Sequence, residues 1–148
     1  MLTVNNAKRP LTSKEIIEFE RKHGFELPRD YAEFMLRSNG GSPDRKGFLN
    51  LVDESQFGNL VAFFMPLNVG QDLNYYRERN EGLLPSHLLI VATDAGGEFI
   101  CLSVSGATKG KMFVWDTSLE PNFATGEVAV LYPIIAESFA DFLNKLFH

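Results

Sequence analysis

The sequence predicts an α+β domain: a mostly antiparallel sheet of about five to six strands, flanked by N-terminal helices, one inserted short helix and a C-terminal helix. Three observations carry this expectation. Two capped amphipathic segments open the chain, short apolar segments parted by tight turns fill its middle, and a segment of helical period closes it. Strands joined by short turns must pair antiparallel, because a parallel crossover needs a dozen or more residues. With 148 residues the chain has the size of one domain, with a core over about residues 11–147.

The first helix is announced by Thr12 as N-cap and Glu15 three residues on, the pattern of a capping box. Leu11 and Ile16 hold the two positions of a hydrophobic staple, and Ile16 and Phe19 share an inner face. Gly24 is placed to end the helix in a left-handed conformation. His23, at that C-terminus, is expected to be favoured as an imidazolium by the helix dipole. The second helix starts near Pro28, with Asp30 in its first turn. Tyr31, Phe34 and Met35 form one buried stripe, and Asn39-Gly40-Gly41 stops the helix.

Strands are expected at Phe48–Val52 and Val61–Leu67, the second so apolar that burial on both faces follows. Asp72–Asn80 reads as a short helix with Leu73 and Tyr76 on one side. Leu88–Thr93, Glu98–Val104 and Lys111–Trp115 read as three more strands. Asp94-Ala95-Gly96-Gly97 makes the hairpin turn between the first two. Glu127–Tyr132 reads as a final strand. Ile135, Phe139, Phe142, Leu143 and Leu146 then fall at offsets 0, 4, 7, 8 and 11, which predicts a helix over Ile135–Phe147.

Composition narrows the function. Cys101 is the single cysteine, so no internal disulfide or cysteine-rich zinc site can form, and a reducing, cytoplasmic setting is expected. No apolar signal segment follows Lys8 and Arg9. The longest apolar run, Leu60–Leu67, falls far short of the ~20 residues a membrane span needs. Residues 1–48 hold nine Lys/Arg and seven Asp/Glu, whereas residues 49–148 hold five and twelve, a net charge of −7. Such a surface repels phosphate backbones and suits a basic protein partner, so neither nucleic acid nor a membrane is expected as a partner.

No nucleotide-binding glycine loop, zinc-protease motif or nucleophile elbow occurs. Ser86 and His87 are neighbours on an expected strand approach, where successive side chains point to opposite faces. Cys101 lies within a strand and is expected to be buried and inert. Asp94, Glu98 and Asp116 lie near hairpin ends and can converge, either as solvated turn acids or as a carboxylate site. No catalytic, cofactor-binding or metal residue is assigned. The candidate partner-binding residues are Asp94, Glu98, Trp115 and Asp116, with Trp115 either an anchor or part of the core.

The order of motifs resembles a known family. Leu11-Thr12, Glu15-Ile16, Phe19-Glu20, Gly24, Leu27-Pro28-Arg29-Asp30-Tyr31, Phe34 and Asn39-Gly40-Gly41 form its N-terminal signature. Leu84-Pro85, Leu89-Ile90-Val91-Ala92, Asp94-Ala95-Gly96-Gly97 and Ile100-Cys101-Leu102 follow. Then come Val114-Trp115-Asp116 and Ile135-Ala136-Glu137-Ser138-Phe139 with Phe142-Leu143. From about Leu11 to Phe147 this is similar to the SUKH superfamily, which includes the yeast Smi/Knr cell-wall regulators. Only Leu119–Ala129 matches no pattern of the family. The resemblance implies a single SUKH-like domain over 1–148 that binds protein without enzymatic activity or cofactor. It implies an immunity protein that neutralises a co-encoded bacterial toxin by stoichiometric binding. The alternative is a general interaction or regulatory module of the Smi/Knr type. Homo-oligomerisation stays open.

Overall fold

The structure is a computed structural model that describes residues 2–48, 59–115 and 134–148. Its elements are β1 (Val4–Asn5), α1 (Ser13–His23), α2 (Arg29–Ser38), β2 (Ser42–Pro43), β3 (Gly47–Phe48) and β4 (Asn59–Phe64). These are followed by α3 (Leu73–Arg79), β5 (Leu88–Asp94), β6 (Phe99–Ser103), β7 (Met112–Trp115), β8 (Ile134–Ala136) and α4 (Phe139–Lys145). Six strands form one antiparallel sheet in the order β3-β4-β5-β6-β7-β8, and β1 and β2 form a separate ribbon. The α+β class is therefore the one that the sequence predicts.

The helix signals act as their chemistry requires. The Thr12 hydroxyl accepts from the Glu15 backbone N–H at 3.2 Å, and the Glu15 carboxylate accepts from the Thr12 N–H at 3.3 Å. Glu15 also takes both Nη groups of Arg9 at 2.9 Å and the Asn68 side-chain amide at 2.7 Å. One carboxylate thus ties the N-terminal segment, α1 and the β4–α3 connection together. The Asp30 carboxylate accepts from Tyr31 N–H at 2.8 Å and from Ala140 N–H at 2.9 Å, which joins α2 to the first turn of α4.

Strand register sorts the sheet into two faces. Phe64, Ala92, Ile100 and Val114 lie in one cross-strand row, and Phe63, Thr93, Phe99 and Trp115 lie in the next row on the opposite face. The first row meets α2 and α4. Phe34 lies 5.1 Å from Phe64 and 5.0 Å from Phe139, Tyr31 lies 5.0 Å from Phe139, and Phe48 lies 5.5 Å from Phe142. Most of these rings meet edge to face or tilted, which suits their quadrupoles. The second row meets α3, where Tyr76 sits 5.7 Å from Phe99. The sheet is covered by helices on both faces, and the abundant phenylalanine makes the core of the first.

Two sequence expectations need correction. β4 is not buried on both faces: Val61 and Phe64 are buried, but Leu60 is 50% exposed and Phe63 37%. A register shift between Val61 and Phe63 resets the alternation, so that Leu60 and Phe63 both face outward. The segment Ile135–Phe147 is not one helix. Ile135 belongs to β8, and the Ser138 hydroxyl, accepting from Asp141 N–H at 2.9 Å, starts α4 afresh. Leu146 is buried, but it caps the helix with extended backbone angles. The expected strand Glu127–Tyr132 and most of Phe48–Val52 lie outside the described residues.

Candidate functional site

The candidate surface is the end of the sheet that carries the β5–β6 turn. Asp94 pairs with Val61, so β4 begins where β5 ends. Phe48 pairs with Asn59, and Phe99 pairs with Trp115. The chain therefore leaves β3, enters β4, turns from β5 into β6 and leaves β7 at the same end. In the sequence, segments 49–58, 94–98 and 116–133 hold Asp53, Glu54, Asp94, Glu98, Asp116, Glu120 and Glu127, and no Lys or Arg. Of these acids, only Asp94 and Glu98 are among the described residues.

Asp94 shapes the turn. Its Oδ1 accepts from the N–H groups of Gly96 at 3.0 Å and Glu98 at 2.8 Å, and the residue is buried. Its backbone N–H donates to the Glu98 carbonyl at 2.9 Å, which closes the hairpin, and Gly97 supplies the positive φ of 87°. An aspartate that accepts from the backbone two and four residues on turns its charge toward the chain. Glu98 is half-buried beside it. Trp115 is buried, with its ring 5.7 Å from that of Phe99. Asp116 lies outside the described residues.

The structure thus brings Asp94, Glu98 and Trp115 together, but places Asp94 and Trp115 below the surface. It adds a residue that the sequence did not point to. Leu60, half-exposed, accepts through its carbonyl from Ala95 N–H at 2.8 Å, next to the exposed tip Ala95–Gly97. Only an alternation that allowed for the β4 bulge could have found it. This end therefore sets the exposed Leu60 side chain next to the turn that Asp94 closes.

The groups usually associated with catalysis sit elsewhere. Cys101 is fully buried in β6, and burial pushes its thiol far above the ordinary range, so it stays protonated as expected. His23 departs from expectation. Its proton affinity is lowered, chiefly by burial, with Arg77 and Lys22 adding to the effect. The desolvation comes from packing between Phe19 and Phe25, whose ring centroids lie 4.7 and 5.8 Å away. Ser86 and His87 lie in the turn before β5. Among the described residues no group of three His, Cys, Asp or Glu side chains is arranged to hold a metal ion. Among them, too, no helix is long and apolar enough to cross a membrane.

A family signature described as SMI1/KNR4 (SUKH-1) matches residues 10–145. The chain belongs to the SMI1/KNR4 family. The match spans every described helix and the whole six-stranded sheet, and it agrees with the resemblance carried by the N-terminal motifs. No curated protein matches the chain. The SMI1/KNR4 signature positions take structural roles here: Pro28 N-caps α2, Tyr31 is core, and Asn39 ends the helix in a left-handed conformation.

Proposed function

We propose that this SMI1/KNR4 domain is a non-enzymatic binding protein that neutralises a co-encoded bacterial toxin in the cytoplasm by stoichiometric association. The observation that carries the proposal is that β3, β4, β5, β6 and β7 have ends on one side of the sheet, and that the sequence of segments 49–58, 94–98 and 116–133 holds seven acids and no basic residue. Toxins that act on nucleic acid need basic surfaces, and an acidic face raises the rate at which a basic partner is captured. On this reading Glu98 and Leu60 make the contact, and Asp94 and Trp115 support the turn and strand beneath them. Asp116 extends the same sequence. A specific complex would bury about 1,200–2,000 Å² in total.

The test is co-expression with the toxin domain encoded beside this chain, together with titration calorimetry of the purified pair. Rescue of growth and a one-to-one complex are expected, with Glu98→Lys and Leu60→Asp each weakening binding about tenfold or more. Failure to rescue, or binding unaffected by both substitutions, would overturn the proposal for that pair. A second interpretation draws on the family match alone: a general interaction module of the Smi/Knr type. It is favoured if pull-downs recover only non-toxic assembly or envelope factors. On either interpretation the partner is a protein, not nucleic acid or membrane.

A further inference from the structure

A second, separate feature lies between the end of α1, α3 and the start of β5. Here a cleft of about 200 Å³ is lined by His23, Arg77, Glu81, Leu84, Leu88 and Ile90, among others. Leu88 and Asp94 stand six positions apart on β5, roughly 20 Å at ~3.3 Å per residue, so the cleft is remote from the acidic end of the sheet. Ligand pockets typically measure about 300–1,000 Å³, and one water takes up about 30 Å³ of liquid. This cleft therefore suits a molecule of few heavy atoms.

The charges on its walls are not matched to each other. Arg77 is half-buried. Its Nη2 donates to the Ser86 carbonyl at 3.0 Å and its Nη1 to the Leu88 carbonyl at 3.4 Å, and its guanidinium lies 5.1 Å from the centre of the Phe25 ring. These contacts hold the fork in place and engage two of its five donors. Among the described residues Arg77 has no carboxylate within ion-pair reach. Glu81 lies on the same cleft and acts on it only through its field. Glu78, also on the wall, is already paired with Lys22 at 3.3 Å. The His23 Nε2 faces Asn74 Oδ1 at 2.7 Å, and the Asn74 amide is turned that way by its other end, which donates to Asp72 at 3.4 Å. His23 Nε2 is thus occupied, and burial disfavours its charged form. One fixed cation and one carboxylate remain, facing the same small space without touching, above an apolar floor of Leu84, Leu88 and Ile90.

We propose that this cleft binds a zwitterion of the α-amino-acid class with an apolar side chain: carboxylate on Arg77, ammonium on Glu81, side chain on Leu84, Leu88 and Ile90. A simple anion would meet Glu81, and a simple cation would meet Arg77. A molecule with both charged groups on one carbon satisfies both walls, and a partly desolvated guanidinium gains most from a carboxylate.

The test uses the full chain, uniformly labelled with nitrogen-15, titrated to about 10 mM with L-leucine, N-acetyl-L-leucine and L-leucinamide while amide resonances are followed. L-leucine is expected to shift the amides of residues 80–84 and 86–88 saturably. The other two, each lacking one charge, should bind about tenfold more weakly or worse. Glu81→Gln, an exposed substitution, should remove the preference for L-leucine over N-acetyl-L-leucine, weakening the former and, with the opposing carboxylate gone, not weakening the latter. Arg77→Gln should abolish the preference for L-leucine over leucinamide. If Arg77→Gln does not fold, the three ligands and Glu81→Gln still decide. No saturable shift with L-leucine, equal binding of all three, or tighter binding of a singly charged analogue overturns the proposal. None of these outcomes bears on toxin binding, because the two surfaces are remote and the substitutions differ.

Discussion

Replacing Asn39 with Ala should be among the most damaging single changes in this fold, and its cost can be worked from three hydrogen bonds. Asn39 is fully buried. Its Oδ1 accepts from Leu67 N–H at 2.7 Å, and its Nδ2 donates to the carbonyls of Leu67 at 3.1 Å and Arg9 at 3.0 Å. The side chain pairs with the Leu67 backbone as a neighbouring strand would, and it ties the end of α2 to the chain after β4. Alanine leaves the Leu67 N–H buried without a partner, at roughly 1–3 kcal/mol, with further loss at the two carbonyls. Asn39 also holds a φ of 47°, where alanine costs about 1 kcal/mol more than asparagine. The sum, about 3–5 kcal/mol, is a large part of the 5–15 kcal/mol by which domains are usually stable. Urea unfolding followed by Trp115 fluorescence and circular dichroism measures it, as a lower midpoint at unchanged slope. Asn39→Gly separates the causes, because glycine relieves the backbone strain but restores no hydrogen bond. If Asn39→Gly is as stable as the parent, the hydrogen-bond argument is wrong and only the left-handed turn matters.

Three further perturbations test the local chemistry. Thr12→Ala removes the side-chain half of the capping box and should cost about 1 kcal/mol in urea unfolding; no measurable loss would mean that the cap is idle. The Glu15 carboxyl is held down to about 2, by Arg9 first and then Asn68 and the Thr12 N–H, so its stabilising contribution is complete above its ordinary 4.5 and is lost as pH falls through about 2. The melting-temperature penalty of Glu15→Gln should therefore shrink between pH 5 and pH 2, and a penalty independent of pH would refute the network. His23 binds its proton more weakly than the ordinary 6.5, so neutral His23 supports the fold above that pH and the support fades as pH falls below it. A proton-NMR titration of the His23 ring with a midpoint at or above 6.5 would show that the dipole wins after all.

The parts of the fold legible in the sequence are those where one residue type has one physical use. Thr12 with Glu15, Gly24 after His23, and the glycines after Asp94 each demand one backbone geometry, and the structure has it at each. The sequence is ambiguous where two causes compete. Ile135 continues the helical period of Phe139 and Phe142 by coincidence, while the start signal at Ser138 and Asp141 lies inside that run. The bulge after Val61 leaves no mark in an all-apolar segment, so Leu60 and its exposure were hidden. The β1–β2 ribbon, with two residues per strand, is shorter than any periodicity can reveal. The desolvation of His23 was hidden too, because packing by Phe25 and Arg77 depends on contacts distant in sequence or hidden by the turn after α1.

The site was legible only as a neighbourhood, and the turn explains why. Asp94 reads as an acid at a hairpin end, yet its carboxylate is drawn inward to accept from Gly96 and Glu98. The same holds along the N-terminal signature. A side-chain carbon on Gly40 would stand 2.6 Å from the Phe64 carbonyl oxygen, and one on Gly41 would stand 2.7 Å from that of Asn5. These residues are specified because a backbone passes close by, and Asn39 because a buried backbone needs partners. Residues under such constraints are the ones a family pattern can register, and they describe how the scaffold closes. Leu60, exposed at the sheet end, meets no such requirement on its side chain. The pattern that identifies the family therefore specifies the frame, and the chemistry of the partner has to be read from what the frame presents.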